Sequence, residues 1–292
     1  MKILLIGGNG QVGFCLNRLL AKADWNYLTL TRAELDIGNA SAVNRVVSDY
    51  CPDIIINAAA YTAVDKAESE QDEAFAVNAT GAKNLAQAAN NVDAAIFHIS
   101  TDYVFAGDAE LPYCEADAVS PQSTYGLSKL KGEQDVAAEN SRHIILRTAW
   151  VFGEHGNNFV KTMIRLGRVR DALGIVGDQL GGPTYAGDIA KVLLEMANQY
   201  YKNKTLPWGV YHFSGFPYVS WFEFACAIFE VVGQEKIYNK NIPQLNEIST
   251  DDYPTPAKRP VNSRLNCEKV QKNFDIEMSD WRDALKNIKA YS

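Results

Sequence analysis

A tyrosine and a lysine near the middle of the chain have the spacing of an acid–base pair. Tyr125 and Lys129 are four residues apart in the segment Ser-Thr-Tyr-Gly-Leu-Ser-Lys, so a helix would place both side chains on one face. An ammonium group next to a phenol lowers the phenol pKa, because the positive charge favours the phenolate. The pair therefore predicts a general acid that protonates a carbonyl oxygen. The alternative is an exposed helix that carries both residues by chance.

Three glycines near the N-terminus could hold a phosphate-bearing cofactor for such a reaction. Gly7, Gly10 and Gly13 follow an apolar run at 2–6 and precede an amphipathic helical pattern. A tight glycine turn lets the backbone approach a pyrophosphate, and the helix N-terminus attracts negative charge. The pattern predicts dinucleotide binding by Gly7, Gly10, Gln11, Val12 and Gly13. A glycine-rich turn without a ligand is the alternative.

The end of the second predicted strand, at 25–30, bears on the choice of cofactor. Arg32 follows this strand, and a guanidinium binds a ribose 2′-phosphate through paired hydrogen bonds. NADPH is therefore the expected cofactor, although the acids Glu34 and Asp36 leave NADH open. Asp36 and Ile37 are included in the predicted cofactor site. Arg32 could equally be a charge on a surface loop.

Apolar runs alternate with amphipathic stretches through the first half of the chain. Strands are predicted at 2–6, 25–30, 53–57, 94–99 and 143–149, and helices at 41–50, 70–89 and 124–139. This alternation predicts an α/β fold with a Rossmann-type doubly wound parallel sheet. Ala58, Ala59 and Ala60 follow one strand, where small residues let a flat cofactor lie against the backbone. The Thr101 hydroxyl follows another strand, where a substrate carbonyl would lie.

The sequence pattern after Trp150 differs from the strand–helix alternation that precedes it. Residues 1–150 are expected to form a dinucleotide-binding Rossmann domain, completed by about 184–214 with a helix at 188–201 and a strand at 209–214. Residues 151–183 and 215–292 are predicted to form mainly a smaller C-terminal substrate-binding lobe. Its aromatic-rich helix at 221–232 is interpreted as core, and a last helix is expected from Ser279 onward.

Composition and charge argue against several classes of function. The 292 residues carry a formal charge of −7, which disfavours binding to nucleic acid or to an anionic membrane. No apolar run approaches the ~20 residues that span a bilayer, and the first residues are predicted to form a strand rather than a secretory signal. Five scattered cysteines without CxxC spacing indicate neither a disulfide scaffold nor a zinc site. A cytoplasmic protein is expected.

Three features together resemble the extended short-chain dehydrogenase/reductase superfamily. They are Gly7-x-x-Gly10-x-x-Gly13, the run Ser-Thr-Asp-Tyr-Val-Phe at 100–105, and Tyr125-x-x-x-Lys129. A narrower resemblance, to the dTDP-4-dehydrorhamnose reductases, rests on segments 57–68, 147–153, 156–163, 178–179 and 182–184, and it covers nearly the whole chain. The resemblance implies an NAD(P)-dependent oxidoreductase of dTDP-rhamnose biosynthesis. Its reaction would reduce the C4 ketone of dTDP-4-dehydro-6-deoxy-L-mannose to dTDP-L-rhamnose.

The same resemblance implies roles for individual residues. Tyr125 would protonate the C4 oxygen and Thr101 would hydrogen-bond to it. Lys129 would bind the nicotinamide ribose and lower the pKa of Tyr125. The positions implied to contact the nucleotide-sugar substrate, beside Thr101 and Tyr125, are Val64, Asp102, Tyr103 and Trp150 in the sugar pocket and Asn158 and Arg259 at the diphosphate.

One position departs from the resemblance. Some relatives carry a glutamate where this chain has Cys15 and use it at a metal-bridged dimer interface. Magnesium prefers oxygen ligands, so no metal is predicted here, and a homodimer is left open. Two alternatives to the reductase remain. One is another nucleotide-sugar reductase or epimerase of the same superfamily, and the other is a non-catalytic NADP-binding regulatory subunit.

Overall fold

Parallel strands joined by helices dominate the computed structural model, which describes residues 1–238 and 241–291. The strands are β1 (Lys2–Ile6), β2 (Asn26–Leu30), β3 (Ile54–Asn57), β4 (Ala95–Thr101), β5 (His143–Thr148), β6 (Val151–Phe152), β7 (Ala172–Val176), β8 (Leu180–Gly181), β9 (Thr184–Tyr185), β10 (Gly209–His212), β11 (Gly215–Phe216), β12 (Val219–Ser220), β13 (Gln244–Ile248) and β14 (Ser279–Asp280). The α-helices are α1 (Gln11–Leu20), α2 (Ala40–Tyr50), α3 (Val64–Ala67), α4 (Gln71–Phe75), α5 (Ala82–Asn91), α6 (Thr124–Glu139), α7 (Phe159–Val169), α8 (Ala186–Asn203), α9 (Trp221–Gln234), α10 (Glu268–Phe274) and α11 (Trp281–Leu285). A π-helix at Ala76–Gly81 joins α4 to α5, and 3₁₀ turns lie at Asp102–Val104 and Ile288–Tyr291.

A six-stranded parallel sheet in the order β10-β5-β4-β3-β1-β2 forms the centre of the fold. β1 pairs with β2 on one side and with β3 on the other, so the chain changes direction across the sheet between β2 and β3. Open α/β sheets bind ligands outside the carboxyl ends of the strands at such a point. The predicted Rossmann-type sheet is confirmed, and β10 returns to it beside β5 as expected.

Helices cover both faces of the sheet, because its strands are apolar on both sides. Ile3 and Leu5 of β1 face a cluster with α1, α8 and α10, whereas Leu4 and Ile6 face a cluster with α2, α5 and α6. This alternation is the two-residue period of a strand that is buried on both faces. The two clusters fix the positions of α1 and α6, the helices that carry the predicted cofactor loop and the predicted acid.

A separate hydrophobic cluster, here called the C-terminal core, includes residues from Phe152 to Tyr291. Phe224, Ile228 and Phe229 of α9 are buried in it together with residues of α7 and α11. The prediction that 221–232 is a core helix is confirmed at these positions. Beside α9, β7 and β13 form a parallel pair that the sequence did not predict.

Two helix predictions were wrong in their bounds. The segment 70–89 is not one helix, because the π-helix at Ala76–Gly81 interrupts it. In that turn the Asn78 side chain accepts a hydrogen bond from the Tyr61 backbone and donates one to Ser128 on α6. The predicted helix from Ser279 begins only at Trp281, since the two preceding residues pair with β11.

Among residues 1–238 and 241–291, no helix combines the length and the apolar character that crossing a bilayer requires.

Candidate active site

The N-terminal glycine loop is packed so closely that side chains would not fit. Gly7 has a φ of 83°, in the left-handed region that other residues rarely adopt. A Cβ on Gly7 would lie 2.6 Å from the backbone nitrogen of Ala59, and one on Gly13 would lie 2.1 Å from the carbonyl oxygen of Gly7. Gly10 is the N-cap of α1 and supplies no side-chain cap. The first N–H groups of α1 are therefore available to an anion.

A cavity of about 230 Å³ adjoins this loop at the carboxyl ends of β1 and β3. Predicted cofactor residues line it: Gly7, Gly10, Arg32, Asp36, Ile37, Ala58, Ala59 and Ala60. The backbone cradle, the open helix start and the small alanine side chains fit a dinucleotide. Gln11, Val12 and Gly13 are not among the lining residues, since Val12 points into the core and Gly13 packs on Gly7.

Arg32 lies at the edge of this cavity and forms an ion pair with Glu73 of α4. The Nη2–Oε1 distance is 2.5 Å, and 74% of the Arg32 side chain is exposed. Exposed pairs of this kind contribute little stability, so the guanidinium can exchange its partner for another anion at small cost. The Asp36 carboxylate accepts a hydrogen bond from the Gly38 N–H at 2.9 Å.

The helix that carries Tyr125 begins with a doubly capped first turn. The Ser123 hydroxyl accepts a hydrogen bond from the Gly126 N–H at 3.2 Å. The Glu68 carboxylate accepts one from the Thr124 N–H and another from the Thr124 hydroxyl, both at 2.9 Å. Such caps satisfy N–H groups that a helix start otherwise leaves free. They fix the position of Tyr125 in the first turn of α6.

Tyr125 is 9% exposed and contacts the Tyr103 ring edge-on, with centroids 5.4 Å apart. Burial raises the pKa of Tyr125, and hydrogen bonding with Thr101 opposes this only in part. The prediction of a lowered tyrosine pKa was therefore wrong for this structure, because desolvation of the phenolate outweighs the favourable contacts. The phenol stays protonated at neutral pH, which is the form that can donate a proton.

The Lys129 ammonium lies next to the C-terminal end of β4. Its Nζ donates a hydrogen bond to the Ile99 carbonyl oxygen at 2.7 Å and lies 3.4 Å from Nε2 of His98. Burial lowers the pKa of Lys129 to about 8, and Glu133 acts in the opposite direction. The predicted pair thus shares one face of α6, with Tyr125 one turn nearer the helix start.

Thr101 is the last residue of β4, as expected for a hydroxyl that meets a substrate. Its hydroxyl donates a hydrogen bond to Asp102 Oδ1 at 2.9 Å. Asp102 is buried, and burial raises its pKa to about 6. Its second oxygen, Oδ2, has no hydrogen-bond partner at normal distance in the described part of the chain, although the Ser263 hydroxyl lies near enough to the carboxyl group to oppose the rise of its pKa. A buried carboxylate oxygen of this kind can accept a hydrogen bond from a ligand.

A larger cavity, of about 670 Å³, lies between the carboxyl edge of the sheet and the C-terminal core. Tyr103, Trp150 and Arg259 line it, as predicted for a substrate site. Arg259 donates to Asp65 Oδ2 at 2.6 Å and to the Tyr103 hydroxyl at 3.1 Å. Val64 does not line this cavity but packs in a small cluster with Tyr103 and Tyr125.

One wall of the larger cavity is aromatic. The indole rings of Trp150 and Trp221 are stacked, with centroids 3.5 Å apart and planes inclined by 11°. Trp150 has a φ of 49°, so it follows β5 in a left-handed conformation that is strained for a residue with a side chain. An apolar wall of this type suits a deoxysugar or a planar base.

Asn158 takes a different position from the predicted one. Its Oδ1 accepts a hydrogen bond from the Lys161 N–H as the N-cap of α7, and its Nδ2 donates to Gln11 Oε1 and to the Gly153 carbonyl oxygen. Both ends of the amide are therefore engaged within the protein. Asn158 is absent from the lining of the larger cavity and instead ties α7 to the glycine loop.

Sequence reasoning missed several residues of the site. Trp221 was interpreted as core, although it lines the larger cavity. Asp65, which holds Arg259, was only part of a quoted segment. The residues of β7 that line the cavity, including Gly174 and Val176, carried no signal because the strand is short and its partner β13 lies far along the chain.

The Cys15 position shows no metal-binding arrangement. Cys15 is buried against α8 in the core of the sheet, and burial raises the pKa of its thiol to about 11. Within residues 1–238 and 241–291, no three His, Cys, Asp or Glu side chains are grouped so that they could hold a metal ion.

Comparison with known proteins identifies the family. The family model of the RmlD substrate binding domain matches residues 1–291. The dTDP-4-dehydrorhamnose reductase of Aggregatibacter actinomycetemcomitans is 49% identical over 292 residues, which are 100% of this chain and 99% of that protein. The dTDP-4-dehydrorhamnose reductase of Escherichia coli strain K12 is 42% identical, over 99% of this chain and 97% of that protein.

Solved structures agree with this assignment. A dTDP-4-dehydrorhamnose reductase from Clostridium acetobutylicum has a TM-score of 0.90 and 41% identity, with 99% of this chain and 98% of that chain covered. The Bacillus anthracis enzyme in complex with NADP has a TM-score of 0.90 and 37% identity, with 100% and 99% covered. At 18% identity and a TM-score of 0.79, the Thermus thermophilus UDP-glucose 4-epimerase shows the shared fold alone.

The fold, the glycine loop and the Tyr125–Lys129 pair define a nicotinamide-dependent oxidoreductase of the extended short-chain dehydrogenase/reductase type. With full-length matches at 41–49% identity to curated members, the chain belongs to the dTDP-4-dehydrorhamnose reductase family.

Proposed function

We propose that this chain reduces the C4 ketone of dTDP-4-dehydro-6-deoxy-L-mannose to dTDP-L-rhamnose with NADPH, in dTDP-rhamnose biosynthesis. Family membership supports the substrate, and the Bacillus anthracis relative was solved with NADP. The observation that carries the proposal is the position of Tyr125 and Thr101. The Tyr125 ring packs edge-on against Tyr103, which lines the larger cavity together with Trp150 and Arg259. Thr101 ends β4 at the carboxyl edge of the sheet, the edge at which the smaller cavity lies.

When bound, the reduced nicotinamide supplies the hydride to the ketone carbon. Tyr125 donates the proton to the ketone oxygen, because the phenol is protonated at neutral pH and the developing alkoxide is a stronger base than a phenolate. Thr101 holds that oxygen by a hydrogen bond. Lys129 holds the nicotinamide ribose and supplies a positive charge behind the developing alkoxide.

The two cavities divide the remaining contacts. Gly7, Gly10 and the start of α1 hold the pyrophosphate of the cofactor, and Arg32 holds the 2′-phosphate. Asp102, in the turn after β4, accepts a hydrogen bond from a sugar hydroxyl through its buried Oδ2. Trp150 packs on the deoxysugar. Arg259 contacts the diphosphate by exchanging Asp65 for phosphate oxygens.

Several expected features of this reductase go beyond its family membership. NADH is expected to serve less well than NADPH. Residues 1–150 with about 184–214 form the cofactor domain, and the rest mainly binds substrate. A cytoplasmic location and a homodimer without a bridging metal complete the proposal. Asn158 acts in it through Gln11 and the glycine loop rather than by direct contact with the diphosphate.

A turnover assay tests the function directly. The purified protein is mixed with NADPH and dTDP-4-dehydro-6-deoxy-L-mannose. The loss of NADPH and the formation of dTDP-L-rhamnose are then measured in the same reaction. Matched assays use UDP- and GDP-linked 4-ketosugars. Faster turnover of one of those would contradict the substrate assignment, and NADPH binding without oxidation would indicate a regulatory subunit. Product formed without net NADPH consumption would indicate an epimerase.

A further inference from the structure

Three charged side chains form a buried row behind Tyr125. Lys129, Glu133 and Arg147 are each 4% exposed or less, although charged residues are rarely buried without partners. Lys129 and Glu133 are four residues apart on α6 and therefore share one face. Arg147 approaches that face from β5. The charges alternate as positive, negative and positive along the row.

The carboxylate in the middle of the row is held rigidly. Arg147 Nε donates to Glu133 Oε1 at 2.9 Å, and Arg147 Nη2 donates to Glu133 Oε2 at 2.7 Å. Two parallel hydrogen bonds from one guanidinium fix the plane of a carboxylate as well as its distance. The Arg147 guanidinium is itself held against the Phe105 ring, 5.0 Å from its centroid.

The surroundings of Lys129 otherwise disfavour its charge. His98 cannot accept a hydrogen bond from it, because Nδ1 of that ring accepts from Asn57 Nδ2 at 3.0 Å and the ring proton is then on Nε2. Nζ donates to the Ile99 carbonyl oxygen, which is neutral. Burial lowers the pKa of Lys129, and Glu133 is the acid that opposes this shift.

Other titratable or charged groups belong to the elements packed around Lys129. Among them are Tyr125 on α6, His98 on β4, Asp102 in the turn after β4, Arg147 and His143 on β5, His212 on β10, Asp65 and Lys66 on α3, Glu68 after α3, Asp72 and Glu73 on α4 and Lys83 on α5. Glu68 is bound by Thr124, Glu73 by Arg32, and Lys83 by Glu139.

We propose that Glu133, held in place by Arg147, is a positioning residue that keeps Lys129 charged. The inference rests on the proposed function, because Lys129 acts there on the cofactor ribose and behind the alkoxide. Glu133 itself touches neither cofactor nor substrate. A negative charge one helical turn away, in a buried site, favours the ammonium form.

The pH dependence of Glu133→Gln tests this role. Activity that requires charged Lys129 falls as pH rises through the lysine pKa, so removal of the negative charge should move this alkaline limb to lower pH. We expect a shift of roughly one to three pH units in kcat/KM for NADPH. The dissociation constant of NADPH, measured by its fluorescence over the same pH range, should show the same shift. At pH values below its own alkaline limb, where Lys129 is charged in both proteins, the variant should bind NADPH as the wild type does.

If Glu133→Gln folds poorly, Arg147→Gln tests the same role, and the alkaline limb of its pH profile is expected to move in the opposite direction. Loss of the guanidinium removes a positive charge and leaves the Glu133 carboxylate free to act on Lys129, so the alkaline limb should move to higher pH. Glu133→Asp should restore most of the wild-type profile. Asp135→Asn is the matched control, because its carboxylate on the same helix pairs with Lys131 at the surface, and its profile should not move.

A wild-type alkaline limb in both Glu133→Gln and Arg147→Gln would overturn the inference. A merely structural role would lower thermal stability without moving the pH profile. Failure of the proposed reaction is distinguishable, because the wild type would then not reduce the ketosugar at any pH. The NADPH-binding profiles would still report on Lys129 in that case.

Discussion

The indole rings of Trp150 and Trp221 are stacked with their centroids 3.5 Å apart. Trp150 directly precedes β6 and follows the fifth strand of the central sheet, whereas Trp221 is the first residue of α9 in the C-terminal core. Phe159 of α7 also contacts the Trp221 ring, at 4.6 Å between centroids. The larger cavity therefore has a wall built jointly by the sheet and the C-terminal core.

Trp221→Ala should weaken substrate binding more than catalysis. Loss of the ring removes a stacking contact worth about 0.5–1.5 kcal/mol beyond its buried area and lets Trp150 move. We expect KM for the nucleotide sugar to rise roughly 2- to 10-fold, with little change in kcat or in NADPH affinity. Trp221→Phe keeps an aromatic ring and should recover most of the affinity. A fall in kcat alone would contradict the assignment of this wall to substrate binding.

Tyr125→Phe should abolish proton donation while keeping the ring contact with Tyr103. We expect turnover to fall about 10²-fold or more, the usual effect of removing a positioned acid. NADPH affinity and thermal stability should stay close to wild type, because the hydroxyl makes few other contacts. Steady-state kinetics and a melting curve measure both. Turnover near the wild-type rate would exclude Tyr125 as the acid.

Arg32→Ala should reduce the preference for NADPH over NADH. The guanidinium can bind a 2′-phosphate that NADH lacks, so the dissociation constant should increase for NADPH and change little for NADH. Titration with each cofactor, followed by fluorescence, gives both constants. Equal losses of affinity for NADPH and NADH would show that Arg32 contacts a part of the dinucleotide that both cofactors have.

Glu73→Gln is the matched control for the Arg32→Ala variant. Glu73 pairs with the Arg32 guanidinium at 2.5 Å and competes with the 2′-phosphate for it. Its neutralisation should therefore strengthen NADPH binding modestly, by less than about 1 kcal/mol because the pair is exposed. Weaker NADPH binding in this variant would indicate that Glu73 holds Arg32 in the binding position instead.

His212 should make the fold sensitive to acid. Burial and the nearby Arg147 charge lower its pKa to about 3, well below the value near ~6.5 of an unfolded histidine. Between these values the unfolded chain binds a proton that the folded chain does not, so the free energy of unfolding decreases as pH falls. One such group contributes up to about 1.4 kcal/mol for each pH unit.

Urea unfolding at several pH values tests this expectation. His212→Asn keeps a polar side chain that does not titrate, so its stability should decrease less steeply than that of the wild type between about pH 6.5 and pH 4. Measurements near neutral pH, where the imidazole is uncharged in both states, provide the baseline for each protein. Identical slopes would mean that other groups cause the acid sensitivity.

Much of the sheet could be predicted from local pattern. The apolar runs at Lys2–Ile6 and Ile54–Asn57 are buried strands because consecutive side chains face two cores, and such runs are visible without any structure. The spacing of Tyr125 and Lys129 also predicts a shared helix face. The bounds of α6, Thr124–Glu139, agree with the predicted helix to the residue, and Ser123 caps its start.

Features that depend on distant contacts could not be predicted. The π-helix follows from Asn78 bonding to Tyr61 and Ser128, and neither contact is encoded in the helical pattern itself. Asn158 matches a family segment, yet Gln11 engages its amide from far along the chain. The direction of the Tyr125 pKa shift depends on how completely the fold buries the phenol, which neighbouring residues in sequence do not reveal.

The first turns of α1 and α6 differ in whether their backbone N–H groups already have hydrogen-bond partners. Gly10 leaves the N–H groups of α1 free, whereas Ser123 and Glu68 occupy those of α6. Of these two helices, only α1 has free N–H groups that could bind the pyrophosphate of a dinucleotide. Under the proposed function, a pyrophosphate held at α1 would leave the nicotinamide to extend toward α6 and the adenosine to extend toward Arg32.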